Sequence, residues 1–433
     1  MKKYLTLLCL CLFSLCLCLT GCSQKLNMPT TLDVEYNGGS VVKVGEYTYY
    51  ANGYKAYGSL KDGDNKNNET ISNISRVKTE NGKISFDEEN KAENTELVAK
   101  KVSGFEYSDL YVSGNYLYFT TPNINKTYSN ETMFEYVSLF KVKLDGTGLK
   151  EVLTVKAEKP SYHFTKISGQ DYFFYVEDSI LYRVALGKDS QTKVVEDVAS
   201  IVFSNDNEIS NTYYTKARED SQTGNILKSV NLLTGENSEL VNEIGFTFTL
   251  IGYQNNILFY TRTQSNVDTI YYYNNFSNGL VSEKTLISTT SIADFTILGE
   301  TVANGIVVSY IYQENLYLDV INDVSYEDQC LLKDNAISKT AKNILGAYGD
   351  YVYYLTESGI YRVSYKDGDI QKISSKTDVK KEAFDFDGRY IYFMSTIETE
   401  EGEEAEEDTN YYMFMADTHY ADLDEESKLI AIK

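Results

Sequence analysis

The chain has 433 residues, 63 of them acidic and 40 basic for a net charge of −23, with 42% hydrophobic and 13% aromatic content. That charge repels a phosphate backbone, so no nucleic-acid partner is expected, and the aromatic content excludes a chain disordered throughout. Two histidines, three prolines, six cysteines and no tryptophan complete the inventory.

The N-terminus reads as an address. Lys2 and Lys3 precede an apolar run from Tyr4 to Leu19, shorter than the ~20 apolar residues of a membrane span and typical of a secretory signal. The run ends at Leu19-Thr20-Gly21-Cys22, which resembles the lipobox of bacterial lipoproteins. The resemblance implies that Cys22 is the lipidated first residue after cleavage. Residues 1–21 are then the signal peptide, 22–39 the lipidated cysteine and tether, and 40–433 the folded body. The expected location is the bacterial cell envelope, outside the cytoplasm, with the protein held to the membrane by lipid on Cys22. Cys9, Cys11, Cys16, Cys18 and Cys22 leave only Cys330 in the rest of the chain. It has no partner for an internal disulfide and is read as a small buried hydrophobe.

Beyond the leader, one unit recurs. A tight turn followed by an aromatic strand appears at Gly45–Tyr50, Gly114–Phe119, Gly169–Tyr175, Gly349–Tyr354 and Asp387–Phe393, and more weakly at Ser210–Tyr214, Asn255–Tyr260 and Asn304–Val308. The mean spacing of about 49 residues suits the four-stranded blade of a β-propeller. The fold expected is all-β, a single β-propeller of eight four-stranded blades, with seven as the alternative count. In the seventh copy the strands are expected at Asn343–Tyr348, Tyr351–Thr356, Ile360–Tyr365 and Ile370–Ile373, with Asp367-Gly368 as a tight turn. The second copy repeats this with Ser138–Leu144 and Lys150–Leu153, and Lys428–Ile432 closes the eighth. The 39 tyrosines are assigned to packing between blades, where a ring with a polar tip fills the wedge and reaches water.

The run Tyr116-Leu117-Tyr118-Phe119 followed by Leu139-Phe140-Lys141-Val142-Lys143-Leu144-Asp145-Gly146 resembles the propellers of bacterial lipoproteins without an assigned function. Those are similar to the YWTD propellers of low-density-lipoprotein receptors. The receptor motif's Trp and Asp are absent here, and receptor propellers have six blades, so ligand mode does not transfer. The family implies binding or scaffolding more than a reaction.

In a blade, links between strands one and two and between three and four share one face, and the other links share the opposite face. The first kind is expected to be short. The second-to-third links carry insertions in copies one (Tyr54 to about Asn73), two (Pro122 to about Tyr136) and eight (Thr396 to about Asn410), which a closed ring makes neighbours. Long loops on a rigid scaffold are where binding resides. The candidate binding residues are Asp62 and Asp64 in the first insertion, and Glu398, Glu403, Glu404, Glu406, Glu407 and Asp408 in the eighth. The acidic run attracts cations or a basic partner, or is simply solvated. Asp62 and Asp64 do not match a calcium loop, because Lys66 takes a ligand position. His163 and His419 occupy unrelated blade positions and read as structural. No nucleophile elbow, phosphate loop or zinc signature is present, so no catalytic residue and no cofactor is assigned.

The expected function is a non-catalytic, lipid-anchored binding or scaffold module for a protein or envelope polysaccharide, acting as a monomer. The alternatives are a glycan-active surface enzyme or an envelope-assembly factor.

Overall fold

The computed structural model describes residues 25–53, 73–89, 91–100, 109–122, 136–156, 162–204, 210–219, 222–254, 257–264, 270–275, 284–287, 292–300, 305–312, 315–322, 328–329, 341–396, 411–419 and 428–429. Every helix or strand among them is a strand, as the β-branched and aromatic composition dictates. In chain order they form eight antiparallel sheets, seven of four strands and one of five. The fold is an all-β propeller. Both counts drawn from the repeat have a place in it. Eight sheets answer the eight copies, and seven of them are uniform. The first is set apart by a short extra strand, Val34–Glu35, paired with the inner edge of Val41–Val44.

Sheet seven follows the expected pattern closely, at Asn343–Tyr348, Tyr351–Thr356, Gly359–Ser364 and Ile370–Ser374. The weak copies are sheets as well, with second strands at Asn211–Ala217, Ile257–Gln264 and Gly305–Tyr312. The first strands lie side by side around the axis. These are Val41–Val44, Tyr111–Ser113, Tyr162–Ile167, Ser200–Val202, Phe246–Gln254, Ile292–Glu300, Asn343–Tyr348 and Val379–Phe386. The ring closes between sheets eight and one. There the Ser40 hydroxyl donates to the Ala383 carbonyl at 3.2 Å, the Val41 amide to Asp385 at 3.0 Å and the Thr48 hydroxyl to Asp387 at 3.4 Å. One apolar cluster runs across the join from Val42 and Tyr50 to Tyr392 and Met415. The closing strand is present at Lys428–Leu429 beside Tyr412–Asp417.

The tyrosines pack as their spacing requires, with Tyr49, Tyr50, Tyr118, Tyr214, Tyr260, Tyr353, Tyr354 and Tyr392 fully buried. A second regularity accompanies them. Opposite the second-strand aromatic stands a third-strand cation: Tyr49 faces Arg76, Tyr118 faces Lys141, Phe174 faces Arg183, Tyr214 faces Lys228 and Tyr353 faces Arg362. Each cation lies over a tyrosine ring of its own sheet. In the first three sheets it also reaches the third-to-fourth turn of the next sheet. Arg76 donates to the Leu144 carbonyl at 3.1 Å, Lys141 meets Asp189 at 2.6 Å, and Arg183 donates to the Leu232 carbonyl at 2.8 Å. The cation therefore stitches neighbouring sheets at a point apolar packing alone leaves open.

Two features differ from expectation. The segment 22–39 was expected as a tether, yet from Leu26 onward it is bound to the body. The Leu26 amide donates to the Asp145 carbonyl, Arg76 holds the Asn27 carbonyl, and the Thr30 amide and hydroxyl both donate to Glu46. Asn37 then exchanges two hydrogen bonds with the Val112 backbone. Also, the third-to-fourth link of sheet one is long, running from Lys78 to Thr95. It contributes Ile84 to the core, so this face is not uniformly one of tight turns.

Candidate functional site

The first strands and the N-terminal segment enclose a cavity of about 840 Å³ on the axis. Its wall is drawn from sheets two, three, seven and eight and from residues 32–40, with Ser204 of sheet four. Strand side chains alternate between faces, so ring closure gathers onto one wall residues distant in sequence.

Asp385 is placed by an irregularity. The first two strands of sheet eight lose register between Lys380 and Asp385, and such a bulge re-aims side chains. Its carboxylate accepts the Val41 amide at 3.0 Å and the amide of Phe386 at 2.8 Å, with the Ser40 hydroxyl at 3.5 Å and the Tyr348 hydroxyl at 3.4 Å. Burial pushes its carboxyl up to about 6 despite these bonds. Asp109 shares the cavity, and its carboxyl is pushed up to about 7, first by burial and then by the charge of Asp385. Like charges held close do not both ionise readily, so both carboxyls keep their protons to a higher pH than an ordinary aspartate. Gly39 stands against Asp385 because it has no side chain: a Cβ there would lie 2.1 Å from an Asp385 oxygen.

The opposite wall is neutralised internally. Asp171 accepts the Tyr111 hydroxyl at 2.9 Å and the Ser113 hydroxyl at 2.7 Å, with the Lys166 amine 3.9 Å away. His163 stacks on Phe203 at 4.8 Å and is bonded to the backbone of Ser204; burial pushes it down to about 4, so it is neutral at pH 7. His419 is exposed and sits 3.7 Å from Asp417, away from the cavity wall. Thr165, also on the wall, is buried with a hydroxyl that meets no partner among the described residues.

The arrangement can hold and exchange a proton at Asp109 and Asp385 and can hydrogen-bond or stack a polar organic molecule against Tyr36, Tyr111, Tyr348 and Phe384. Among the described residues no group of three or more metal-ligating side chains converges. The residues singled out from sequence, Cys22, Asp62, Asp64, Glu398, Glu403, Glu404, Glu406, Glu407 and Asp408, lie outside the described residues, as does Cys330. What is placed is the roots of their links. The second-to-third links of sheets one, two and eight run from Ala51 to Ile74, Pro122 to Tyr136 and Ser395 to Tyr412. The same link runs only from Glu177 to Ile180 in sheet three and from Thr356 to Gly359 in sheet seven. Asp109, Asp171, Thr165 and Asp385 were not anticipated. Asp385 stands in Asp385-Phe386-Asp387-Gly388, where turn chemistry masks any other signal.

Comparison with solved structures gives propellers and propeller-bearing proteins. Porphyromonas gingivalis dipeptidyl peptidase 4 matches with a TM-score of 0.51 at 12% identity, over 93% of this chain and 61% of that one. An oligogalacturonate lyase in complex with manganese matches at 0.46 and 13% identity, over 70% and 86%. TolB from Acinetobacter baumannii matches at 0.32 and 15%, over 54% and 61%. No family model matches the chain, and no curated protein does. At these identities the likeness bears on fold alone: the chain is a β-propeller.

Proposed function

We propose that the chain is a bacterial lipoprotein propeller, held outside the cytoplasm by lipid on Cys22, that serves as a non-catalytic binding or scaffold module for a protein or envelope glycan. The observation that carries this reading is the placement of the three long second-to-third links. They root in sheets eight, one and two, which are consecutive in the closed ring, and all leave the same face. Rigid sheets beneath long links are the usual construction of a recognition surface. The acidic run in the third of these links favours a basic or cationic feature on the partner.

The test is capture from envelope extract with the lipid-free mature chain, beside a variant in which the three links are shortened to tight turns. A partner retained by the first and lost by the second supports the reading. Capture of the same partner by both overturns the assignment to this face.

A second reading is favoured by the carboxyl pair. Glycoside cleavage uses one protonated and one ionised carboxyl across a cleft, and Asp109 and Asp385 both line the axial cavity with carboxyls raised by burial. Under it, cell-wall or dietary glycans are turned over by the native chain, and Asp109→Asn abolishes the turnover while leaving the fold intact. The carboxylate of Asp385 is occupied by backbone amides of the ring join, which weighs toward a structural duty and keeps binding first.

A further inference from the structure

Seven large apolar side chains are left exposed among the described residues, and their distribution is uneven. Met28, Leu32, Val34, Tyr36, Leu149 and Ile370 belong to one face, and Ile244 to the other. Scattered exposed hydrophobes need no explanation, but six of seven on one face do. The face is that of the first-to-second and third-to-fourth links. Leu149 follows the turn at Asp145-Gly146, Ile370 follows the turn at Asp367-Gly368, and the N-terminal segment crosses from Asp145 to Glu46. Ile244 lies between Val241 and Phe246, on the connection from sheet four to sheet five at the opposite face.

We propose that this face lies against the lipid bilayer, an inference that rests on the lipidation of Cys22 proposed above. The geometric reason is the short reach of the anchor. Leu26 is fixed to this face by the 2.9 Å bond from its amide to the Asp145 carbonyl and packs against the core. It stands four positions after Cys22, an extended path of at most about 14 Å. Acyl chains on Cys22 enter the membrane within that distance of the Asp145 turn. The opposite face is farther than the tether can compensate, since a seven-residue strand such as Tyr116–Pro122 spans about 23 Å. The exposed apolar side chains beside the anchor, Met28, Leu32, Val34 and Tyr36 of the N-terminal segment, then meet the headgroup boundary, as apolar faces of membrane-lying elements do. The strand ends that root the long second-to-third links consequently lie on the face away from the membrane.

The test uses the acylated full-length chain in phosphatidylcholine vesicles containing a doxyl-labelled lipid. With Cys330→Ser as background, a polarity-sensitive fluorophore is attached at Leu149→Cys or at Ile244→Cys. Flotation with the vesicles reports the lipid anchor separately from orientation. The expected result is a blue shift and quenching at position 149 and neither at 244. Quenching at 244 equal to or above that at 149, or at neither position, in protein that floats overturns the membrane-facing surface and leaves lipidation standing. Protein that does not float overturns both.

Discussion

Replacing Arg76 with Met isolates the stitch between sheets. Arg76 is 0% exposed; one terminal nitrogen donates to the Asn27 carbonyl at 2.7 Å and to the Tyr49 hydroxyl and the Leu144 carbonyl at 3.1 Å each. Its Nε donates to Glu96 at 2.8 Å, and the guanidinium lies 3.9 Å over the Tyr47 ring. Met fills most of the stem's volume, so the loss falls on the polar contacts. Glu96 is about one-third exposed and regains water, so the ion pair itself counts for little. The buried Leu144 carbonyl and Tyr49 hydroxyl lose their donor at roughly 1 kcal/mol each, while the exposed Asn27 carbonyl regains water, and the desolvated cation–ring contact adds about 1–2 kcal/mol. Relief of the buried charge offsets part of this, leaving a loss of about 3 kcal/mol. With an unfolding entropy of about 2.1 cal/mol/K per residue over roughly 400 residues, the melting temperature falls by ~3–4 °C. The assay is calorimetry paired with hydrogen exchange of residues 26–36, which should exchange faster because Arg76 holds Asn27. Arg362→Met is the control: its guanidinium bonds Gln371 within its own sheet, so it leaves that exchange unchanged. An Arg76→Met protein that melts with the native chain and protects 26–36 equally refutes the account.

Four further perturbations read the cavity. Asp109 and Asp385, raised to about 7 and 6 from an ordinary value of 3.8, favour the folded state when protonated. Their contribution is full below about pH 4 and is lost as pH rises through 6 to 7; Asp109→Asn should flatten that part of a melting-temperature profile, and parallel profiles would contradict the pairing. His163, lowered from 6.5 to about 4, acts in the opposite sense, with its stabilisation lost as pH falls from about 6.5 to 4, so His163→Phe should lessen acid destabilisation in the same melts. Gly39→Ala forces a methyl onto the Asp385 carboxylate and should cost about 1–3 kcal/mol in urea unfolding, with a loss near zero showing that the segment can move aside. Thr165→Val removes a buried hydroxyl without a partner among the described residues and should be neutral or stabilising by up to about 1 kcal/mol; a clear loss would mean the hydroxyl is bonded in solution.

The blade plan was legible because it is local. Tight turns and alternating aromatics place the strands of sheet seven within a residue or so of their observed bounds, since side-chain period and turn chemistry act over a few positions. The stitching cations were less visible. Arg76 and Arg362 have the same duty toward their strand-two tyrosines, but the link from Ala51 to Ile74 is far longer than that from Thr356 to Gly359, so the shared register is hidden until the strands pair. The N-terminal segment lacks strand alternation over most of its length and so reads as a tether. It binds instead through single contacts, at Leu26, Asn27, Thr30 and Asn37, each of which requires a partner already in place.

The axial carboxyls carry this argument furthest. Asp109 and Asp385 belong to sheets two and eight, and nothing in either local sequence pairs them; only closure of the ring across sheet one does. The same closure fixes Asp385 through the Val41 amide and leaves Gly39 no room for a side chain. The raised carboxyl of Asp385 is thus tied to the integrity of the join. Asp294 makes the corresponding contact between sheets six and seven, accepting the Ile344 amide, and it too stands in an irregular stretch of a first strand. There the carboxylate is paired with Lys381, which removes the like-charge conflict seen at Asp109. The two joins use one device, an aspartate on a bulged inner strand capping the next sheet's amide. The join between sheets eight and one differs by a second carboxyl in place of a cation, and that substitution is what gives the cavity its titrating character.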